Sequence, residues 1–154
     1  MRTVLDTNIF YRAIICKSGP CRSILEANYR GVFTLLLSKE TLEEARKVIL
    51  GFLDREASLS KIDKDEILRM FMYALLRAEN VDVRSKLKKS RHGADNKFVR
   101  CAIDGNADYI ISADDHLLSI TEPITNLGGK PVHIEPPERH QILLFKHERS
   151  ARKL

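Results

Sequence analysis

Thr3-Val4-Leu5-Asp6-Thr7-Asn8 decides the reading of this chain: a short apolar run that ends on a carboxylate and passes straight into polar residues. Thr3 to Asp6 reads as a buried strand. A charge that ends a strand in the middle of a sheet is costly to bury without a partner. Working outward, Val32 to Leu37 is an unbroken β-prone run, as expected of a strand covered on both faces. Pro20 to Arg30 before it suits a short helix, with Pro20 in its first turn and Gly31 just past its end. Ser38 is placed to cap a helix in which Leu42, Ala45, Ile49 and Leu53 recur at helical spacing. Asp63 to Asn80 reads as another helix, with Asp63 and Glu66 as a box-like start and Ile67, Phe71, Leu75 and Ala78 along one face. A helix from Asp95 to Gly105, a strand at Tyr109-Ile110-Ile111-Ser112, a helical turn at Asp114 to Leu118 and a strand at Val132-His133-Ile134 follow. Pro136-Pro137 then closes the expected compact part. Strands alternating with helices predict a three-layer α/β/α domain with a mainly parallel sheet, here residues 1–137, and a basic C-terminal extension over 138–154.

Four acids fall where such a sheet binds ligands, outside the carboxyl ends of its strands. Asp6 ends the first strand, Glu44 lies two turns into the helix after the second, Asp95 opens a helix leading into the Tyr109 strand, and Asp114 lies just past that strand. Carboxylates converging there repel unless a cation joins them, and Mg²⁺ and Mn²⁺ are the hard cations that take oxygen ligands. Each acid also has a blander role open to it. Asp95 and Glu44 suit the positive halves of their helices, and Asp114 suits a turn. Between Glu43 and Glu44 the helical wheel decides: Glu44 sits roughly 115° from the centre of the apolar face and Glu43 about 145°. Glu44 is therefore nearer the rim of the buried face.

The bulk properties narrow the classes. The chain has 154 residues, enough for one domain with one core, 44% hydrophobic and 31% charged residues, and no run of the roughly 18 apolar residues that span a membrane. With a carboxylate at position six the start is no signal peptide, and a cytoplasmic protein is expected. Cys16, Cys21 and Cys101 form no C-x-x-C pair and read as reduced thiols. The even spacing of His133, His140 and His147 straddles a strand and the Pro pair, and reads as coincidence. The net charge is +5. From Arg84 to Arg100 seven Lys or Arg residues face one acid, and Lys146, Arg149, Arg152 and Lys153 crowd the tail. Such tracts attract polyanions, so Lys86, Lys88, Lys89, Arg91 and Lys97 are candidate nucleic-acid contacts, with a solvated surface as the plain alternative.

The motifs together resemble the PIN-domain family, particularly the VapC-like toxin ribonucleases and their single-domain relatives. Val4-Leu5-Asp6-Thr7-Asn8 resembles the first motif, Ser38 to Leu50 the second, with its acid on Glu44, and Asp95-Asn96-Lys97-Phe98 the third. Ser112-Ala113-Asp114-Asp115-His116 resembles the fourth. The likeness runs over about residues 1 to 137. Two departures stand out: Arg91-His92-Gly93-Ala94 where many relatives carry a further acid, and Ala113 in place of a common glycine.

The resemblance implies a strand order of 3-2-1-4-5 and a Mg²⁺- or Mn²⁺-dependent endoribonuclease that leaves a 5′-phosphate and a 3′-hydroxyl. Asp6, Glu44, Asp95 and Asp114 would be its metal-holding catalytic residues. Asn8, Ser112 and Asp115 would orient those acids or the substrate. RNA, an antitoxin protein and a second copy of the chain are the partners it implies. Two rival readings remain. An aspartyl phosphotransferase of the dehalogenase type wants a second Asp where this chain has Asn8, which cannot deliver a proton. A catalytically silent nucleic-acid-binding module would use the basic tracts alone.

Overall fold

In chain order the elements are β1 (Arg2–Leu5), α1 (Thr7–Ile15), α2 (Pro20–Tyr29), β2 (Thr34–Ser38), α3 (Lys39–Arg55), α4 (Lys61–Arg77), β3 (Glu79–Val81), α5 (Asn96–Asp104), β4 (Tyr109–Ile111), α6 (Asp115–Leu118), β5 (Ile124–Thr125), β6 (Pro131–Glu135) and α7 (Pro137–Ala151). They come from a computed structural model that describes residues 1–86 and 96–151. The strands form one sheet in the order β3-β2-β1-β4-β6-β5. Every pairing is parallel except β5 with β6. The parallel strands keep the order that the resemblance implied. The difference is the two-residue β5, which adds an antiparallel edge and was too short to leave a pattern in the sequence.

Alternation along the central strands divides the core into two layers. Leu5, Leu35, Leu37 and Ile111 face one side and pack with apolar residues of α1, α2, α3, α4 and α7. Val4, Leu36 and Ile110 face the other and pack with Phe98, Val99 and Ala102 of α5 and Leu117 of α6. The chain after β1 therefore turns to one face and the chain after β4 to the other. In an open α/β sheet such a reversal is where a crevice is expected, at the carboxyl edge between the two neighbouring strands.

Besides β5, four elements differ from what the sequence predicts. Thr7–Ile15 is a helix that begins directly after β1, with Ile9, Phe10, Ala13 and Ile14 buried; its β-branched content masked it. The α4 helix begins at Lys61 under the hydroxyl of Ser60, which accepts from the backbone N–H of Asp63 at 3.2 Å. It ends at Arg77, so Glu79-Asn80-Val81 is not helix but the parallel edge strand β3, anchored by an Arg2–Glu79 ion pair of 2.7 Å. Pro136-Pro137 does not close the compact part either, because it starts α7, which packs on α2. His140 and Leu144 are buried there, so this stretch is part of the core and not a loose arm.

His140 sits between the rings of Tyr109 (5.0 Å) and Phe33 (6.3 Å) with no exposed surface. Glu135 approaches its Nδ1 only to 3.7 Å, and Arg139 lies 3.5 Å from the other oxygen of Glu135. Burial pushes the His140 imidazole down to about 4 from the ordinary 6.5. A base whose folded pKa is lowered contributes its full stability above pH 6.5 and loses it as pH falls towards 4, because only the unfolded chain takes up the proton. The expected outcome is an acid-side loss of stability approaching about 1.4 kcal/mol per pH unit. His140→Leu should flatten that limb when urea midpoints are compared between neutral and mildly acidic pH.

Candidate active site

Asp6 stands at the junction of β1 and α1, 5% exposed. Its backbone N–H donates to Ile111 across the sheet at 2.9 Å, and its side chain caps α1, facing the N–H of Asn8 at 3.4 Å. The buried hydroxyl of Ser112 donates to Asp6 Oδ2 at 2.6 Å. The same hydroxyl accepts the backbone N–H of Asp114 at 2.9 Å. One serine thus ties the ends of β1 and β4 together and fixes the turn that carries the second acid. Asp114 in turn caps α6 through the N–H of His116 at 2.9 Å. Among the described residues only Asn106 has a positive φ without being glycine, so the turn at Ala113 does not require the glycine common in relatives.

Glu44 reaches the same edge from α3. Thr7, the first residue of α1, donates its hydroxyl to Glu44 Oε1 at 2.6 Å, while Lys97 of α5 forms a close ion pair with Oε2. Glu43 is exposed and Glu44 half-buried, as the wheel argument expected. One turn earlier on α3, Glu40 pairs with Arg100 at 2.7 Å, so two ion pairs join α3 to α5. The structure therefore links Asp6 to Asp114 through Ser112, and sets Glu44 against the residue that follows Asp6.

The other expected residues are distributed differently. Asn8 and Asp115 are exposed and Ser112 is buried. Lys97, expected as a surface contact for nucleic acid, is instead turned in against Glu44 with 18% of its side chain exposed. Lys86 is exposed, whereas Lys88, Lys89, Arg91 and Asp95 lie outside the described residues. Thr7 was missed, although a hydroxyl inside Asp6-Thr7-Asn8 was the available signal. The partner of Lys97 left no signal, because it depends on how two distant helices meet.

The donors offered here are carboxylate oxygens steadied by hydroxyls, which suits Mg²⁺ or Mn²⁺ and not a thiophilic metal. Among the described residues, no three His, Cys, Asp or Glu side chains are gathered closely enough to enclose an ion. No helix among the described residues is long and apolar enough to cross a membrane.

The sequence matches the family model of the PIN domain over residues 2–116. No curated protein matches it. The fold is similar to a chain in the crystal structure of VapBC2 from Rickettsia felis bound to a DNA fragment from its promoter. That likeness has a TM-score of 0.54 at 18% identity and covers 88% of this chain and 98% of that one.

The Ser112 bridge generates a prediction. Ser112→Ala leaves Asp6 Oδ2 and the Asp114 N–H without that hydroxyl, at a position with no exposed surface. Stability should fall by about 1–3 kcal/mol in urea unfolding. Ser112→Thr, which keeps the hydroxyl, should recover part of the loss.

Proposed function

The chain belongs to the PIN-domain family, and from that premise we propose that it is a nuclease that hydrolyses RNA with the help of Mg²⁺ or Mn²⁺. The observation that carries the reading is the buried carboxylate of Asp6, locked by Ser112 beside the turn that presents Asp114. A bound divalent cation would supply Lewis-acid activation of water and neutralise charge on the leaving oxygen. Asp6, Glu44 and Asp114 would hold it, joined by Asp95 as the resemblance implies. Ser112 and Thr7 orient Asp6 and Glu44 through neutral hydroxyls, which add no charge of their own to either carboxylate. Asn8, exposed at the start of α1, and Asp115, exposed at the start of α6, would orient water or a sugar-phosphate. Lys86, Lys88, Lys89 and Arg91 would draw the RNA backbone towards this edge. The VapBC2 likeness supports a toxin role with an antitoxin protein as partner, and a homodimer in the cytoplasm completes the reading.

Metal-free protein is expected to be folded and inactive, with cleavage of single-stranded RNA restored by Mg²⁺ or Mn²⁺. Full activity in excess EDTA would refute the reading. Asp6→Asn should abolish cleavage and leave the melting temperature of the metal-free protein unchanged or slightly raised, since it removes a charge from a crowded anionic edge. Glu44→Gln should likewise abolish cleavage, and Glu43→Gln should not. Binding of RNA without cleavage under all metal conditions would favour the silent binding module instead.

A further inference from the structure

Lys97 and Arg100 lie one turn apart on α5, and each meets a glutamate of α3. Their surroundings differ. The Arg100–Glu40 pair lies on the outer side, with Glu40 56% exposed. The Lys97–Glu44 pair lies inward, and the other oxygen of that same carboxylate is held by Thr7, the neighbour of Asp6 in the chain. A candidate metal ligand therefore carries an ammonium on one oxygen and a neutral hydroxyl on the other.

We infer that Lys97 is an exchangeable internal counter-cation: its ammonium neutralises Glu44 until a divalent cation takes that carboxylate, and is then expelled. The inference rests on the metal-dependent reading of this site. The chemistry of the residue suits the task. Lysine is a compact point charge on a flexible stem, whereas an arginine would hold a carboxylate through a fixed fork and give it up less readily. A divalent ion on Glu44 would face the ammonium at close range inside a partly desolvated edge, where like charges repel far more than in water. Thr7 remains in place during the exchange, because a neutral donor to Oε1 opposes neither cation. Lys97 also has somewhere to go, because its side chain retains 18% exposure and can swing towards solvent. Metal loading would then release a positive charge at the mouth of the crevice, where a phosphate arrives.

The test is Mn²⁺ binding by titration calorimetry on the full chain without RNA, for the wild type, Lys97→Met and Arg100→Met. The two variants remove the same charge from the same pair of helices. Lys97→Met should bind Mn²⁺ about tenfold tighter, the affinity equivalent of one modest ion pair, and Arg100→Met should shift by less than about twofold. A second measurement needs no variant. Reductive methylation of Lys97, followed by peptide mass spectrometry, should be slow in the metal-free wild type and faster with saturating Mg²⁺. Equal or weaker Mn²⁺ binding by a folded Lys97→Met would overturn the inference and leave Lys97 as a fixed clamp between α3 and α5. Methylation unaffected by Mg²⁺ would do the same. No Mn²⁺ uptake by the wild type has a separate signature: it removes the metal-dependent reading itself, and the inference with it.

Discussion

A carboxylate with 5% exposure at the end of a central strand is expensive to bury, and much of the sheet is arranged around keeping Asp6 there. Its charge meets the positive end of α1 and the hydroxyl of Ser112 at 2.6 Å. That contact is met only if β1 and β4 pair with Leu5 opposite Ile111, the register that the sheet adopts. The next strand is held to the same line, because the Ser112 N–H donates to the carbonyl of Glu135 at the end of β6. A slip of one residue would turn Ser112 away from Asp6 and carry Ile110 and Ile111 to the wrong layers. The polar contact at the edge and the apolar alternation behind it therefore specify the same pairing.

The location of the crevice follows from the direction in which the chain leaves each strand. After β1 it turns into α1 on one face, and after β4 into α6 on the other, so the two loops diverge and leave a gap above neighbouring strands. The α3 helix completes the arrangement, since it packs its lower turns with α1 and ties its first turns to α5 by the Glu40–Arg100 and Glu44–Lys97 pairs. Glu44 reaches this edge because the helix that carries it contacts elements from both layers.

How much of this was legible depended on the length of each signal. The central strands were readable because both their faces are buried, which leaves continuous apolar runs. The α3 helix was readable from its cap and its spacing, and the wheel gave the relative burial of Glu44 and Glu43. The three-residue β3 was not, because only Val81 is buried and the strand is held in part by an ion pair from Arg2 to Glu79 that no local pattern encodes. The α7 helix was hidden by composition: its basic surface residues suggested a solvated arm, while its attachment depends on His140 and Leu144. For the candidate site, the acids were visible as residues ending strands or riding helices, and the groups that steady them were less so. Ser112 stood in the motif. The roles of Thr7 and Lys97 arise from tertiary contacts with α3 and could not be read from spacing.

Neutral donors steady the crevice acids, as they do Asp104 and Asp63, whereas several other acids of the molecule pair with arginine. Glu79 pairs with Arg2, Asp82 with Arg84, Glu40 with Arg100, Glu26 with Arg22 and Glu148 with Arg30. In each case a permanent cation cancels the charge. Among the described residues the crevice acids also take neutral donors: the Ser112 hydroxyl on Asp6, the Thr7 hydroxyl on Glu44, and a backbone N–H on Asp114. Neutral donors fix the direction of a carboxylate and leave its charge intact, which maintains a negative field where the strands end. Lys97 is the exception, and it is a lysine where the pairs just named use arginine. A forked arginine, such as Arg2 on Glu79, would hold the Glu44 carboxylate more firmly than a lysine does.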